Sequence, residues 1–254
     1  MDERDPLRPF LLYVHAVDPH LPYDPPEPYR SRFASDVERA DLGSTAVVGT
    51  LQARDLVDEG QYASDLLDLY DGEVACNDHS FGVLLDRLAQ RDLDDDTVVI
   101  FLSDHGEEFF DHGGWIHGRT LYREVLQVPL VIRLPGQSEG RRVSAPAQHA
   151  DLMPTLLDLA GLDPQPGVHG ISLLRSLPHD RAVAAYLDLD GWGGWSVVNG
   201  QRHGIRHLDR GYTGPAELYD LELDPAEQDD LGSDRGVEAG ALLSESRREV
   251  LGEE

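Results

Sequence analysis

An aspartate and a histidine stand side by side as Asp104 and His105, directly after an apolar run. The first offers a hard carboxylate oxygen and the second an imidazole nitrogen, a pair suited to one divalent cation. Gly106 follows and lets the chain turn. A second concentration of chemistry-bearing side chains holds His15, Asp18, His20 and Asp24, stiffened by Pro19, Pro22, Pro25 and Pro26. A third runs through Glu107, Glu108, Asp111, His112, His117 and Arg119, interleaved with glycines. An isolated Asp-His pair is more often a polar strand end than a ligand site. The two further clusters shift the reading toward a site.

The elements that would carry these residues are legible as periodicities. Thr97–Leu102 is a β-branched, apolar run that reads as a buried strand, as do Pro9–His15 and Val128–Leu134. Leu66, Leu67, Tyr70, Val74, Phe81, Leu84, Leu85 and Leu88 recur at three- and four-residue steps and predict a helix over 66–88. Open α/β sheets place their sites at the carboxyl ends of strands. The expectation is therefore an α/β fold, a mostly parallel sheet with flanking helices, in which all three strands share one sheet. Asp104, His105, His20 and His117 would then converge at its carboxyl edge. Asp163-Pro164-Gln165-Pro166-Gly167 breaks the preceding helix and suggests a seam. It divides the chain into 1–165 and a carboxyl-terminal subdomain, 166–254. Runs at 182–189 and 195–199 predict a small antiparallel sheet there, with Trp192–Trp195 as a turn and 233–254 as a peripheral helix or tail.

Composition narrows the partners. The 254 residues carry 48 acidic against 21 basic side chains, a net charge of −27. This argues against nucleic acid or an anionic membrane surface as partner. An anionic ester would need a local cation and a few arginines to reverse the field. The basic set is all arginine, because the chain has no lysine. One cysteine, Cys76, excludes an internal disulfide. No run approaches membrane-spanning length, and residues 1–9 lack the apolar core of a signal peptide. Membrane insertion is not expected, and the cellular compartment is left open.

Six pieces in order resemble the sulfatase family of the alkaline phosphatase superfamily. They are Phe10–His15 with Asp18-Pro19-His20 and Pro22-Tyr23; Tyr70–Val74 with Asp78; Ser103-Asp104-His105-Gly106-Glu107; Thr120-Leu121-Tyr122 with Val128-Pro129-Leu130; Asp151-Leu152 with Pro154–Gly161; and Glu217–Leu221 with Asp224-Pro225. The resemblance covers the carboxyl-terminal part of a typical member and implies an incomplete alkaline-phosphatase-like domain. It implies a sulfuric ester hydrolase whose metal is held by Asp104 and His105. Calcium is the usual family metal, with Mn2+, Mg2+ or Zn2+ compatible with a histidine ligand. It makes His20 the proton donor to the leaving oxygen. The family often has a lysine where this chain has Gly118, so His117, or else Arg119, is the expected substitute on the anionic oxygens.

The resemblance also implies a formylglycine nucleophile, made in a Cys/Ser-x-Pro-x-Arg motif. Cys76 lacks the following proline and arginine, and so reads as a small thiol within a helix; Ser144 and Ser176 start similar runs that end without arginine. The two aspartates that the family supplies from its first strand have no counterpart before Phe10. The chain is thus expected to be a sulfatase fragment, inactive alone and needing a missing amino-terminal half. The implied substrate is a small-molecule or carbohydrate sulfate ester. A phosphodiesterase or phosphonate hydrolase of the same superfamily is the alternative, and a non-catalytic remnant the second. Membrane-bound phosphoethanolamine and phosphoglycerol transferases share the metal strand. The Asp18–Tyr23 and Thr120–Tyr122 pieces favour sulfatases over them.

Overall fold

The computed structural model describes residue 5 and residues 8–53, 60–209 and 212–251. The chain divides into two compact units, Met1–Asp94 and Asp95–Glu254.

Unit 1 is built on three helices, α1 (Tyr29–Phe33), α2 (Thr45–Ala53) and α3 (Gly60–Ala89). The last contains the helix expected over 66–88. Its Leu66, Leu69 and Leu88 are buried, and the unit's other buried apolar side chains include Tyr23, Leu42, Val48 and Leu51. Asp92 ends α3 at φ 53°, and from there the Leu93 N–H reaches back to the Leu88 carbonyl at 3.0 Å. The strand expected at 9–15 does not form. Residues 10–14 lie in no ladder, and Leu11 and Tyr13 are more than four-fifths exposed. A strand exists only by pairing its backbone, and unit 1 has no strand among its described residues to pair with.

Unit 2 opens with β1 (Val99–Leu102), then a minimal hairpin of β2 (Glu108–Phe109) and β3 (Trp115–Ile116). One helical turn, α4 (Arg123–Leu126), leads to β4 (Leu130–Arg133). β4 pairs with β1 in antiparallel register, from Val99 opposite Arg133 to Leu102 opposite Leu130. This corrects the expected parallel sheet: every pairing among the described residues is antiparallel. A parallel return requires a crossover to the other end of the strand, usually through a helix. Here residues 103–129 hold only the hairpin and one helical turn. The chain therefore re-enters beside the end of β1 that it left.

A 3-10 turn (His149–Asp151) and α5 (Leu152–Leu159) follow. The expected carboxyl-terminal sheet is present with five strands: β5 (Ala182–Leu189), β6 (Trp192–Asn199), β7 (Arg202–Asp209), β8 (Tyr212–Thr213) and β9 (Glu217–Asp220). β5 and β6 are joined by Asp190 and Gly191, both at positive φ, the two-residue turn that suits strand twist. Trp192 and Trp195 lie in β6 rather than in a turn. One face of the sheet buries Val197 and Leu218 against Ala239 and Leu243 of α6 (Gly232–Leu251). The other buries Ile205 and Tyr219 against Leu121, with Tyr122 and Leu126 packed alongside. The second face thus rests on the segment that leaves the histidine-rich loop.

Candidate active site

The end of β1 presents the aspartate-histidine pair. Ser103 Oγ donates to the His105 carbonyl at 2.7 Å, and the His105 N–H donates to Asp104 Oδ1 at 3.1 Å. His149 Nε2 closes over the Ser103 carbonyl at 3.0 Å. His105 Nδ1 bonds to the Gly106 carbonyl at 2.8 Å, which makes Nδ1 the protonated nitrogen and Nε2 the lone-pair nitrogen. That Nε2 lies 3.9 Å from Asp104 Oδ1, and the Asp104 side chain is 77% exposed. Two donors at this spacing, one oxygen and one nitrogen, fit one cation with bonds of roughly 2.0–2.4 Å after a small adjustment. They make two ligands rather than a closed cage. Among the described residues no group of three or more His, Cys, Asp or Glu side chains is arranged to hold a metal ion.

Gly106 is required by proximity rather than by a left-handed turn. Its N–H donates to the Val125 carbonyl at 2.8 Å, and a Cβ there would lie 2.0 Å from the Glu124 carbonyl oxygen. The turn after β1 is thereby pressed onto α4.

His117 comes back to this point from the loop. Its ring lies 3.8 Å from that of His105, centre to centre. Its Nδ1 donates to Glu107 Oε1 at 2.8 Å, and the Glu107 side chain is only 4% exposed. Arg119 places its guanidinium 5.3 Å over the Trp192 ring. Asp104, His105 and His117 are therefore brought together as the sequence suggests, with His117 rather than Arg119 against the pair.

A buried carboxylate organises the loop between them. Glu108 accepts from the His112 and Gly114 N–H groups at 3.1 and 2.7 Å and from Thr120 Oγ1 at 3.2 Å. Burial pushes its carboxyl above the usual range, against these hydrogen bonds. His112, within the same loop, is largely buried and structural. It donates from Nδ1 to Glu124 at 2.7 Å and from Nε2 to the Glu227 carbonyl at 2.9 Å, and it stacks on Tyr122. Burial works against its charge, but the bond to Glu124 and the Glu227 carbonyl outweigh burial and raise it to about 9.

Behind Tyr122 stands a second anchored group. Tyr122 and Tyr219 hydroxyls both donate to Glu217 Oε2 at 2.9 Å, and His207 Nδ1 reaches Glu217 Oε1 at 3.3 Å. Burial favours a neutral Glu217, yet the bond from His207 and the two hydroxyls hold its carboxyl below the usual range. Asp151 closes a capping box at the 3-10 turn through the Gln148 N–H. Its main engagement is a two-point pair with Arg181, both contacts at 2.7 Å, in which the Asp151 carboxylate is fully buried.

His20 belongs to unit 1, where residues 18–25 are gripped by α3. Asn77 Nδ2 donates to the Asp18 carbonyl and the Asp24 N–H donates to Glu73 Oε1, both at 2.8 Å. Pro25 sits over Gly72, where a Cβ would come within 2.9 Å of its ring. His20 is exposed between these grips, with Nδ1 bonded to the Leu21 carbonyl at 2.8 Å.

Comparison with known proteins settles the lineage. The sulfatase family model matches residues 2–162, well over half of the chain. The chain belongs to the sulfatase family. It is 33% identical over 161 residues to an endo-4-O-sulfatase of Bacteroides thetaiotaomicron, covering 63% of this chain and 30% of that protein. It is 29% identical over 244 residues to the uncharacterized sulfatase YidJ of Escherichia coli, covering 89% of this chain and 47% of the relative. Among solved structures, the phosphonate monoester hydrolase of Agrobacterium radiobacter superposes with a TM-score of 0.75 at 24% identity, over 98% of this chain and 58% of the other. BT4656, solved with its substrate D-glucosamine-2-N,6-O-disulfate, superposes with a TM-score of 0.67 at 22% identity, over 85% of this chain and 47% of the other. The sulfatase chain therefore spans about half, or less, of the length of these relatives. These likenesses show the alkaline-phosphatase-like fold.

Several polar residues of this sulfatase chain that sequence reading left without a role turn out to brace candidate residues or their loops, Glu73 in unit 1 and Glu107, Glu108, Glu124, Glu217 and Glu227 in unit 2. Three of them, Glu73, Glu107 and Glu217, stand inside matched motif pieces, and that was the available signal. Glu124 and Glu227 carried none, because their partners lie far away in sequence.

Proposed function

We propose that this chain carries the cation-binding, carboxyl-terminal part of a sulfuric ester hydrolase acting on sulfated carbohydrates. The observation that supports it best is the His105 tautomer. With Nδ1 committed to the Gly106 carbonyl, Nε2 is the ligating nitrogen beside Asp104. Asp104 and His105 would hold a divalent cation, calcium by family habit, and a bound cation would supply charge stabilisation for the anionic ester oxygens. His117, oriented by Glu107, donates a hydrogen bond from Nε2 to an ester oxygen when protonated, in place of a lysine. His20 in its protonated form keeps Nδ1 on the Leu21 carbonyl and gives the Nε2 proton to the leaving oxygen. The carbohydrate class follows the names of relatives such as the N-acetylglucosamine-6-O-sulfatase of Bacteroides thetaiotaomicron, 27% identical over 234 residues.

The 254 residues hold no Cys/Ser-x-Pro-x-Arg run. The chain alone is therefore expected to bind cations weakly and to turn over neither 4-nitrophenyl sulfate nor bis-4-nitrophenyl phosphate. Calorimetric titration with Ca2+, Mn2+, Mg2+ and Zn2+ checks the first point. Binding that persists undiminished in Asp104→Ala would sink the metal assignment. Turnover that co-purifies with the chain and vanishes in Asp104→Ala would overturn the nucleophile argument. Phosphonate or phosphodiester hydrolysis is the second reading, since the fold is shared with phosphonate monoester hydrolases and fold does not fix substrate.

A further inference from the structure

Glu73 is a buried acid that the proposed chemistry leaves unused. It sits on α3 with 4% of its surface exposed. Its Oε1 accepts the Asp24 N–H at 2.8 Å, while its Oε2 is buried with no hydrogen-bond partner. One helical turn on, at the i+4 position, Asn77 holds the Asp18 carbonyl at 2.8 Å. The two side chains thus clasp the Asp18–Asp24 loop at both ends, with His20 on the crest. We propose that Glu73 is a positioning residue for His20, and that its neutral form is the one that holds the loop.

The charge state of Glu73 is set by the groups that face it. From the loop these are the carboxylates of Asp18 and Asp24. From α1, Arg30 reaches Asp24 at 3.6 Å and offsets part of that charge. From its own helix, the contact on the loop is the uncharged Asn77. An ionised Glu73 leaves one oxygen dry and unpaired and repels the two aspartates of the segment it must hold. A neutral Glu73 still accepts the Asp24 N–H and removes that repulsion. Burial, then the two aspartates, raise its carboxyl to about 7, although the Asp24 N–H opposes the rise. The loop is therefore held firmly below neutrality and loosened above it. This rests on the reading of His20 as proton donor.

The test uses the whole 254-residue chain, isotopically labelled. Amide exchange at residues 20–24, corrected for the intrinsic pH dependence of exchange, is followed by NMR together with the His20 ring signals. In the wild type, loop protection is expected to fall as pH rises through about 7, with the Asp24 amide shift reporting the same midpoint. Glu73→Gln keeps the acceptor and cannot ionise. It should hold at pH 8 the protection that the wild type shows at pH 6, with no midpoint. Glu73→Ala should speed loop exchange by about tenfold or more over the wild type at pH 6, while circular dichroism confirms that α3 persists. Should Glu73→Ala fail to fold, Glu73→Gln alone decides. A midpoint that survives Glu73→Gln, or a loop whose exchange ignores residue 73, overturns the proposal. Should the loop behave as expected while His20→Ala leaves turnover of a catalytically complete form intact, the anchor stands and the proton-donor reading falls.

Discussion

A histidine with both ring nitrogens committed can serve neither as ligand nor as base, and this separates His112 from its neighbours. Its two bonds make it a cation inside the fold. Its folded value of about 9 lies above the ordinary 6.5. The stabilisation is therefore complete below about 6.5 and is lost as pH rises through about 9. Urea denaturation of wild type should show stability falling between pH 7 and pH 10. His112→Asn should lower stability at pH 7 by roughly 2 kcal/mol and flatten that alkaline loss. A wild type equally stable at pH 7 and pH 10 would contradict the charged state. The opposite behaviour is expected of Asp104, whose side chain is 77% exposed. Asp104→Ala should leave the melting temperature almost unchanged while weakening cation binding. Gly106→Ala, by contrast, has no room against the Glu124 carbonyl and should cost about 1–3 kcal/mol. The sequence made Asp104, His105 and His117 conspicuous because their chemistry is local. It hid the tautomers, which are set by Gly106 and Glu107 once the turn has closed.

At the level of elements, periodicity located the pieces and misjudged their partnership. The three- and four-residue spacing of Leu66 to Leu88 lies inside α3, and the β-branched runs gave β1 and β4 to within two residues. An apolar run states that a segment wants a neighbour, but not which one or in which direction. Direction was decided by the short return through α4, and the run at 10–14 lies in no ladder. The turn signals at 163–167 likewise say where a helix stops, while the joint that matters there is covalently remote. Asp151 and Arg181 lie 30 residues apart and bind at two points in a dry setting. Breaking such a pair by removing one charge leaves the other buried. Asp151→Asn is expected to cost about 3–5 kcal/mol in a urea titration, far more than Asp158→Asn, whose contact with Arg175 is longer and exposed. Equal losses would show that the buried pair has no special weight.

Across the whole molecule the governing quantity is charge. A surplus of 27 negative charges on 254 residues repels itself in the compact state. Raising NaCl from 0.1 to 1 M shortens the screening length from about 10 Å to about 3 Å. The melting temperature should rise by about 5 °C, and KCl should act as well as NaCl. A melting temperature indifferent to salt would mean that the carboxylates are already compensated locally. No helix of the described residues is long and apolar enough to cross a membrane.

Glu227 carries a consequence for how such a gene can decay or be cut. From the loop after β9 it receives the Arg123 N–H at the start of α4 and the His203 ring from β7, while its carbonyl takes His112. The carbonyls of α4 are what Gly106 is pressed against. A premature stop between α5 and Glu227 would leave every motif of the metal strand intact in the DNA, yet strip this brace from the histidine loop. A fragment ending near residue 165 should therefore retain the signature and lose the order that gives it meaning.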